Sequence, residues 1–229
     1  MNVRLVSYSQ PTSEFANLGI SDAQELIAYC ARVSNPANQF NTETSEKLIR
    51  YLVRHQHWSP LEMVSACMEI TTTRDIARQI LRHRSFSFQE FSQRYADPTK
   101  DLNFVQRDAR RQDLKNRQNS VELDMKNDAD RFLAAQWEEM QKRVIRESQN
   151  AYAWAIENGI AKEQARAVLP EGLIESRLYM NGTLRSWIHF IQLRSGNGTQ
   201  KEHMEVARAC AKVIAEIFPL ANDFVNTEE

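Results

Sequence analysis

The chain has 229 residues, 42% hydrophobic and 26% charged, the proportions of a soluble globular protein long enough to bury a core. A formal net charge of −1 excludes a global basic field that would draw it onto nucleic acid. No stretch approaches the roughly 20 apolar residues of a membrane span, and Met1 to Tyr8 lacks a signal-peptide core, so no membrane and a cytoplasmic location are expected.

Val3 to Tyr8 reads as a short strand. Ser21 with Gln24 makes a capping box that opens a helix to about Val33, and Ser34-Asn35-Pro36 ends it. A second helix covers about 43 to 56, with Leu48, Ile49, Leu52 and Val53 on one face. His57 to Pro60 is a turn. Val64, Ala66, Met68 and Ile70 alternate with polar or small residues, the pattern of a half-buried strand. Thr73 is placed to cap a helix from Arg74 to about His83, which puts basic residues at its C-terminus, where the helix dipole favours them. Residues 86 to 95 form a loop or extended segment.

The segment 100–131 is polar, with few apolar anchors, and part of it is expected to be mobile or to cover a neighbouring subunit. A long helix runs from about Leu123 or a little later to Asn158, where Gly159 ends it. A short helix spans about 161 to 168. Leu173 to Met180 reads as a strand, and Thr183 starts a helix through Leu193. Thr199 with Glu202 opens a last helix reaching Phe218. The strands are few and separated. One α+β domain over residues 1–229 follows, a modest and largely antiparallel sheet flanked by helices.

The densest chemistry lies in residues 82–95. Arg82-His83-Arg84 is followed by a lone carboxylate, Glu90, by Ser85, Ser87 and Ser92, and by Arg94. Such a run suits a dianionic ligand, because arginine forks grip phosphate bidentately. A basic stripe of Arg74, Arg78, Arg82, His83 and Arg84 with Phe86, Phe88 and Phe91 also admits a nucleic-acid surface, against which the near-neutral charge stands. The six glycines form neither a dinucleotide-binding turn nor a phosphate loop. Three cysteines, Cys30, Cys67 and Cys210, sit among small or apolar neighbours and read as buried packing residues, leaving no obvious thiol nucleophile. His55 and His57, with His83 or Glu62, admit a metal site or a turn with surface histidines. Without a His-Glu-x-x-His or clustered cysteines, no metal is expected.

The run Arg82-His83-Arg84, Ser87, Glu90, Ser92, Arg94, Tyr95 resembles the signature of the flavin-dependent thymidylate synthases. Gln89 stands where that family usually has Asn, and Thr183 where Asn is common. His57, Ser59 and Glu62 match a His-x-His-x-Thr/Ser-Pro-x-Glu element, and Ala31-Arg32-Val33-Ser34, Glu163 to Pro170 and Thr183 to Arg194 resemble further family segments. The resemblance covers about residues 28 to 205.

The resemblance implies reductive methylation of dUMP to dTMP, with methylenetetrahydrofolate as carbon donor and FAD, reduced by NADPH, as hydride source. It implies dUMP binding by Gln79, Arg82, Glu90, Ser92, Gln93, Arg94, Arg166 and Arg194. For FAD it implies Ser34, His57, Ser59, Glu62, Arg82, His83, Arg84, Glu90, Thr183, Arg185 and His189. Arg194 is the catalytic candidate, because a guanidinium against the pyrimidine edge stabilises charge developing on the ring without a cysteine nucleophile. Ser92 reads as a ligand, since no His-carboxylate pair beside it in sequence would activate it. A homotetramer with active sites built from several subunits is also implied.

Overall fold

The computed structural model describes residues 1–225. The chain opens with β1 (Asn2–Tyr8), a short α1 (Ser13–Asn17), α2 (Ala23–Ala31) and α3 (Ser45–Arg54). The expected box at Ser21 is shifted by one residue. Asp22 is the N-cap, accepting from the Glu25 N–H at 2.7 Å, while Ser21 donates to the Glu25 carboxylate. Next come β2 (Ser65–Thr73), α4 (Arg74–Ile80), β3 (Ser87–Glu90) and a short α5 (Pro98–Asp101). Thr73 stands at the N-cap of α4, as expected, but its hydroxyl makes no cap bond and accepts from Arg107 Nη2 at 2.7 Å.

The hairpin β4 (Arg110–Gln112) and β5 (Ser120–Glu122) precedes α6 (Asp128–Glu157). Helix α6 starts five residues later than Leu123, where Asn127 Oδ1 accepts from the Ala129 and Asp130 N–H groups at 2.9 and 3.3 Å. Gly159, at φ +74°, ends it in the left-handed conformation that glycine adopts freely. Then follow α7 (Lys162–Ala165), β6 (Glu175–Thr183), α8 (Leu184–Arg194) and α9 (Lys201–Ile214). Thr183 caps α8 as expected. Thr199 does not cap α9, because Gln200 is the N-cap and Glu202 binds the Gln200 amide and Arg110 instead. The helix also stops at Ile214, four residues short of Phe218.

The sheet has the order β1-β2-β6-β3 and every neighbouring pair is antiparallel, which bears out the α+β reading. Strands β2 and β6 meet with Met68 opposite Met180. Their inner face presents Ala66, Met68, Ile70, Leu178 and Met180, all buried against α2, α3, α8 and α9. Trp187 of α8, fully buried, donates its indole N–H to the Ala66 carbonyl at 3.0 Å, so its polar atom is satisfied inside the core. On the outer face Glu69 is held by Arg4 at 2.8 Å and by the Tyr179 hydroxyl at 2.9 Å. The Arg4 bond is the main cause that lowers its carboxyl pKa.

The polar segment 100–131 packs on its own chain. Phe104 bridges to Ile174, Arg107 pairs with Asp75 at 2.6 Å, Gln141 of α6 receives the Arg107 N–H at 2.8 Å, and Lys201 pairs with Glu122 at 2.7 Å. Of the cysteines only Cys210 lies in the core. Cys30 and Cys67 are partly exposed, and burial raises all three thiol pKa values. No helix among the described residues is long and apolar enough to cross a membrane.

Candidate active site

Helix α4 ends at Ile80, so Arg82-His83-Arg84 falls in the turn before β3 rather than in the helix's last turn. That turn splits the motif. Arg82 and Arg84 face solvent and form no side-chain hydrogen bond or ion pair among the described residues. His83 turns inward, edge-on to Phe190 at 5.0 Å, and its Nε2 accepts the Nε–H of Arg194 at 3.1 Å. Burial, and then the charges of Arg194 and Arg82, push the His83 pKa down to about 4, so the ring is neutral and can accept. Gln79 stands one turn back on α4. Its amide donates to Gln200 Oε1 at 2.8 Å and its carbonyl oxygen lies 3.3 Å from His203 Nδ1. Gln79, Arg82, His83 and Arg194 therefore form one group, over the ends of α4 and α8 and the start of α9.

A second group joins the turn after α3 to α8. Gln56 adopts φ +59°, a left-handed conformation that a non-glycine residue takes only at a cost, and this bend sends the chain into His57 and Ser59. The Trp58 ring lies tilted at 53° against His189, centroids 4.4 Å apart, and Glu62 pairs with Arg185. Arg185 and His189 share the outward face of α8, as their spacing of four residues predicts. Burial and the Arg185 charge lower the His189 pKa.

The third group lies at the far end of α4. Glu90, the last residue of β3, accepts from Ser176 Oγ at 2.7 Å and lies 3.4 Å from Arg74 Nη1. Arg94 pairs with Glu163 at 3.2 Å, and Arg166 donates to the Glu163 carbonyl at 3.3 Å. Among the described residues Ser92 Oγ accepts only from the Arg94 N–H, at 3.4 Å. Gln93 is 3% exposed and its amide nitrogen has no hydrogen-bond partner among the described residues.

No side-chain hydrogen bond, ion pair or ring contact among the described residues joins one group to another. Ser34 stands apart from all three, exposed in the turn after α2. The structure also removes the nucleic-acid surface: Arg74 is buried between Glu90 and Glu171, and Phe86 is buried against Trp187 at 4.8 Å. Sequence reasoning missed Ser176 and His203, and set Arg74 in a nucleic-acid stripe rather than against Glu90. For His203 a signal existed, because it shares its helical face with Val206, Ala207 and Cys210.

The family described as thymidylate synthase complementing protein matches residues 18–220. The chain belongs to this family. It is 46% identical over 219 residues to a probable flavin-dependent thymidylate synthase of Paramecium bursaria Chlorella virus 1, covering 96% of each chain. It is 47% identical, with the same coverage, to a flavin-dependent thymidylate synthase of Synechocystis sp.. The fold is similar to that of PolB, a UMP/dUMP methylase from Streptomyces cacaoi solved with 5-Br dUMP. The TM-score is 0.74 at 23% identity, with 97% of this chain and 93% of that one covered.

Proposed function

We propose that this family member is itself a flavin-dependent thymidylate synthase, converting dUMP to dTMP with methylenetetrahydrofolate, NADPH and FAD. The observation that carries the reading is the pairing of Arg194 with a neutral His83. It leaves the outer guanidinium nitrogens of Arg194 without a hydrogen bond among the described residues, while Nε is fixed.

The donor set fits the ligands. Arg82 and Arg84 are free cations on the surface, suited to phosphate-bearing groups. The unpartnered Gln93 amide, buried beside Ser92 and Arg94, suits an oxygen acceptor. The nucleotide is held by Gln79, Arg82, Glu90, Ser92, Gln93, Arg94, Arg166 and Arg194. FAD is held by Ser34, His57, Ser59, Glu62, Arg82, His83, Arg84, Glu90, Thr183, Arg185 and His189. When bound, the reduced flavin supplies hydride. The chain's own work is to grip the phosphate, orient the uracil ring and stabilise negative charge on it through Arg194. Ser92, with no histidine or carboxylate hydrogen-bonded to its hydroxyl among the described residues, serves as a ligand.

Arg82 belongs to the first group and Arg94 and Arg166 to the third, so one pocket needing all three is completed between copies of the chain. A homotetramer supplies this. Helix α6 supports it, since Phe132, Met140, Val144 and Trp154 along its 30 residues are all exposed. The direct test is titration of the protein with FAD and then dUMP. Flavin absorbance that stays with the protein and shifts on adding dUMP supports one joint site. Failure to retain FAD removes the reading.

A further inference from the structure

His203 is the most deeply buried histidine of the chain, with no exposed surface, and the ligand assignment above leaves it unused. Its Nδ1 faces the Gln79 carbonyl oxygen at 3.3 Å, which fixes the proton on Nδ1. The opposite nitrogen, Nε2, is buried without a hydrogen-bond partner among the described residues. The ring stands 5.7 Å from Phe190 and 6.1 Å, edge-on, from His83. Behind Gln79 the chain continues through Gln200 and Glu202 to Arg110. The Gln79 amide is thus held from both ends, and His83, the acceptor for Arg194, is backed by a second imidazole. Burial, then the charges of Arg194 and His83, lower the His203 pKa to about 3, so the ring stays neutral beside the guanidinium.

We infer that His203 is a positioning residue for the pyrimidine site: it fixes the Gln79 amide and braces the His83 ring, so that Gln79 and Arg194 meet the substrate in one arrangement. The inference rests on the reading of those two residues as dUMP ligands. His203 needs no contact with substrate to act in this way. Its role parallels that of outer residues that orient a binding group through a hydrogen bond.

The test compares His203→Leu, which fills the space without a donor, with His203→Gln, which returns an N–H toward Gln79. The expected result is a loss of about 10-fold in kcat/KM for dUMP in the leucine variant, with FAD affinity and melting temperature near wild type. The glutamine variant should recover to within about 3-fold of wild type. Equal kcat/KM in wild type and leucine variant overturns the inference, as does a folded glutamine variant no better than leucine. If the leucine variant does not fold, His203→Asn takes its place, and asparagine matching glutamine overturns it equally. A folded wild type that makes no dTMP removes the enzymatic reading and the positioning role with it. An active wild type with indifferent variants removes only the role of His203.

Discussion

Arg194 and His83 lie 111 residues apart and share one hydrogen bond, Nε to Nε2 at 3.1 Å, in which a guanidinium is anchored on a neutral imidazole. The bond uses the inner nitrogen of Arg194 and leaves the planar outer fork without a hydrogen bond among the described residues. Lysine offers no such division, because its ammonium carries all its donors on one atom.

Arg194→Ala is expected to retain FAD and to lose about 10²- to 10³-fold in kcat, the scale for removing one donor aimed at developing charge. Single-turnover dTMP formation with the flavin spectrum recorded in parallel checks this. Near-normal turnover removes Arg194 from its role.

His83 and His203 also tie stability to pH. Both have folded pKa values, about 4 and about 3, below the ordinary 6.5, so between these limits the unfolded chain binds protons that the folded chain excludes. Stability is therefore present in full above about pH 6.5 and declines as pH falls toward 4 and 3. Thermal melting from pH 7.5 to 4 should show this decline, and His203→Gln should make it shallower. An unchanged slope in that variant contradicts the assignment.

Much of this was legible in the sequence. The alternation around Met68, the helix start at Thr183 and the glycine stop at Gly159 are local signals, and the structure follows them. Two expected caps yield to distant partners, as Arg107 takes the Thr73 hydroxyl and Arg110 the Glu202 carboxylate, whereas the shift at Ser21 is local, since Asp22 takes the Glu25 N–H. The segment 100–131 was opaque because polar ion pairs, not an apolar stripe, tie it down. The motifs nominated candidate site residues, but no local pattern could show that His83 faces Arg194 rather than solvent.

Gly182 permits the approach of Phe86, which follows the Arg-His-Arg turn. A Cβ there would stand 2.7 Å from Phe86 Cε1, well inside contact distance. Gly182→Ala should cost about 1–3 kcal/mol and displace the turn. Chemical denaturation with the dUMP KM measured alongside checks it. Unchanged stability and KM would show that Phe86 shifts freely.

Ser176 and Arg74 hold Glu90 from within the fold. Ser176→Ala removes a 2.7 Å bond to a carboxylate, for an expected loss of about 1.5–3 kcal/mol in stability and a rise in dUMP KM. Equilibrium unfolding and steady-state kinetics read both. A variant with normal KM places Glu90's orientation under Arg74 alone.

Glu62 and Arg185 pair at the surface, where an ion pair contributes about 0–1 kcal/mol. Glu62→Gln should thus leave the melting temperature nearly unchanged while weakening FAD binding, measured by fluorescence titration. A large stability loss with unaltered FAD affinity would make the pair structural.

The most direct measurement is dTMP formation by the purified wild-type chain given dUMP, methylenetetrahydrofolate, NADPH and FAD, with each component omitted in turn. The account predicts dTMP in step with NADPH consumed, and none when FAD or methylenetetrahydrofolate is left out. Folded protein that retains FAD and binds dUMP, yet returns the dUMP unchanged, would contradict it.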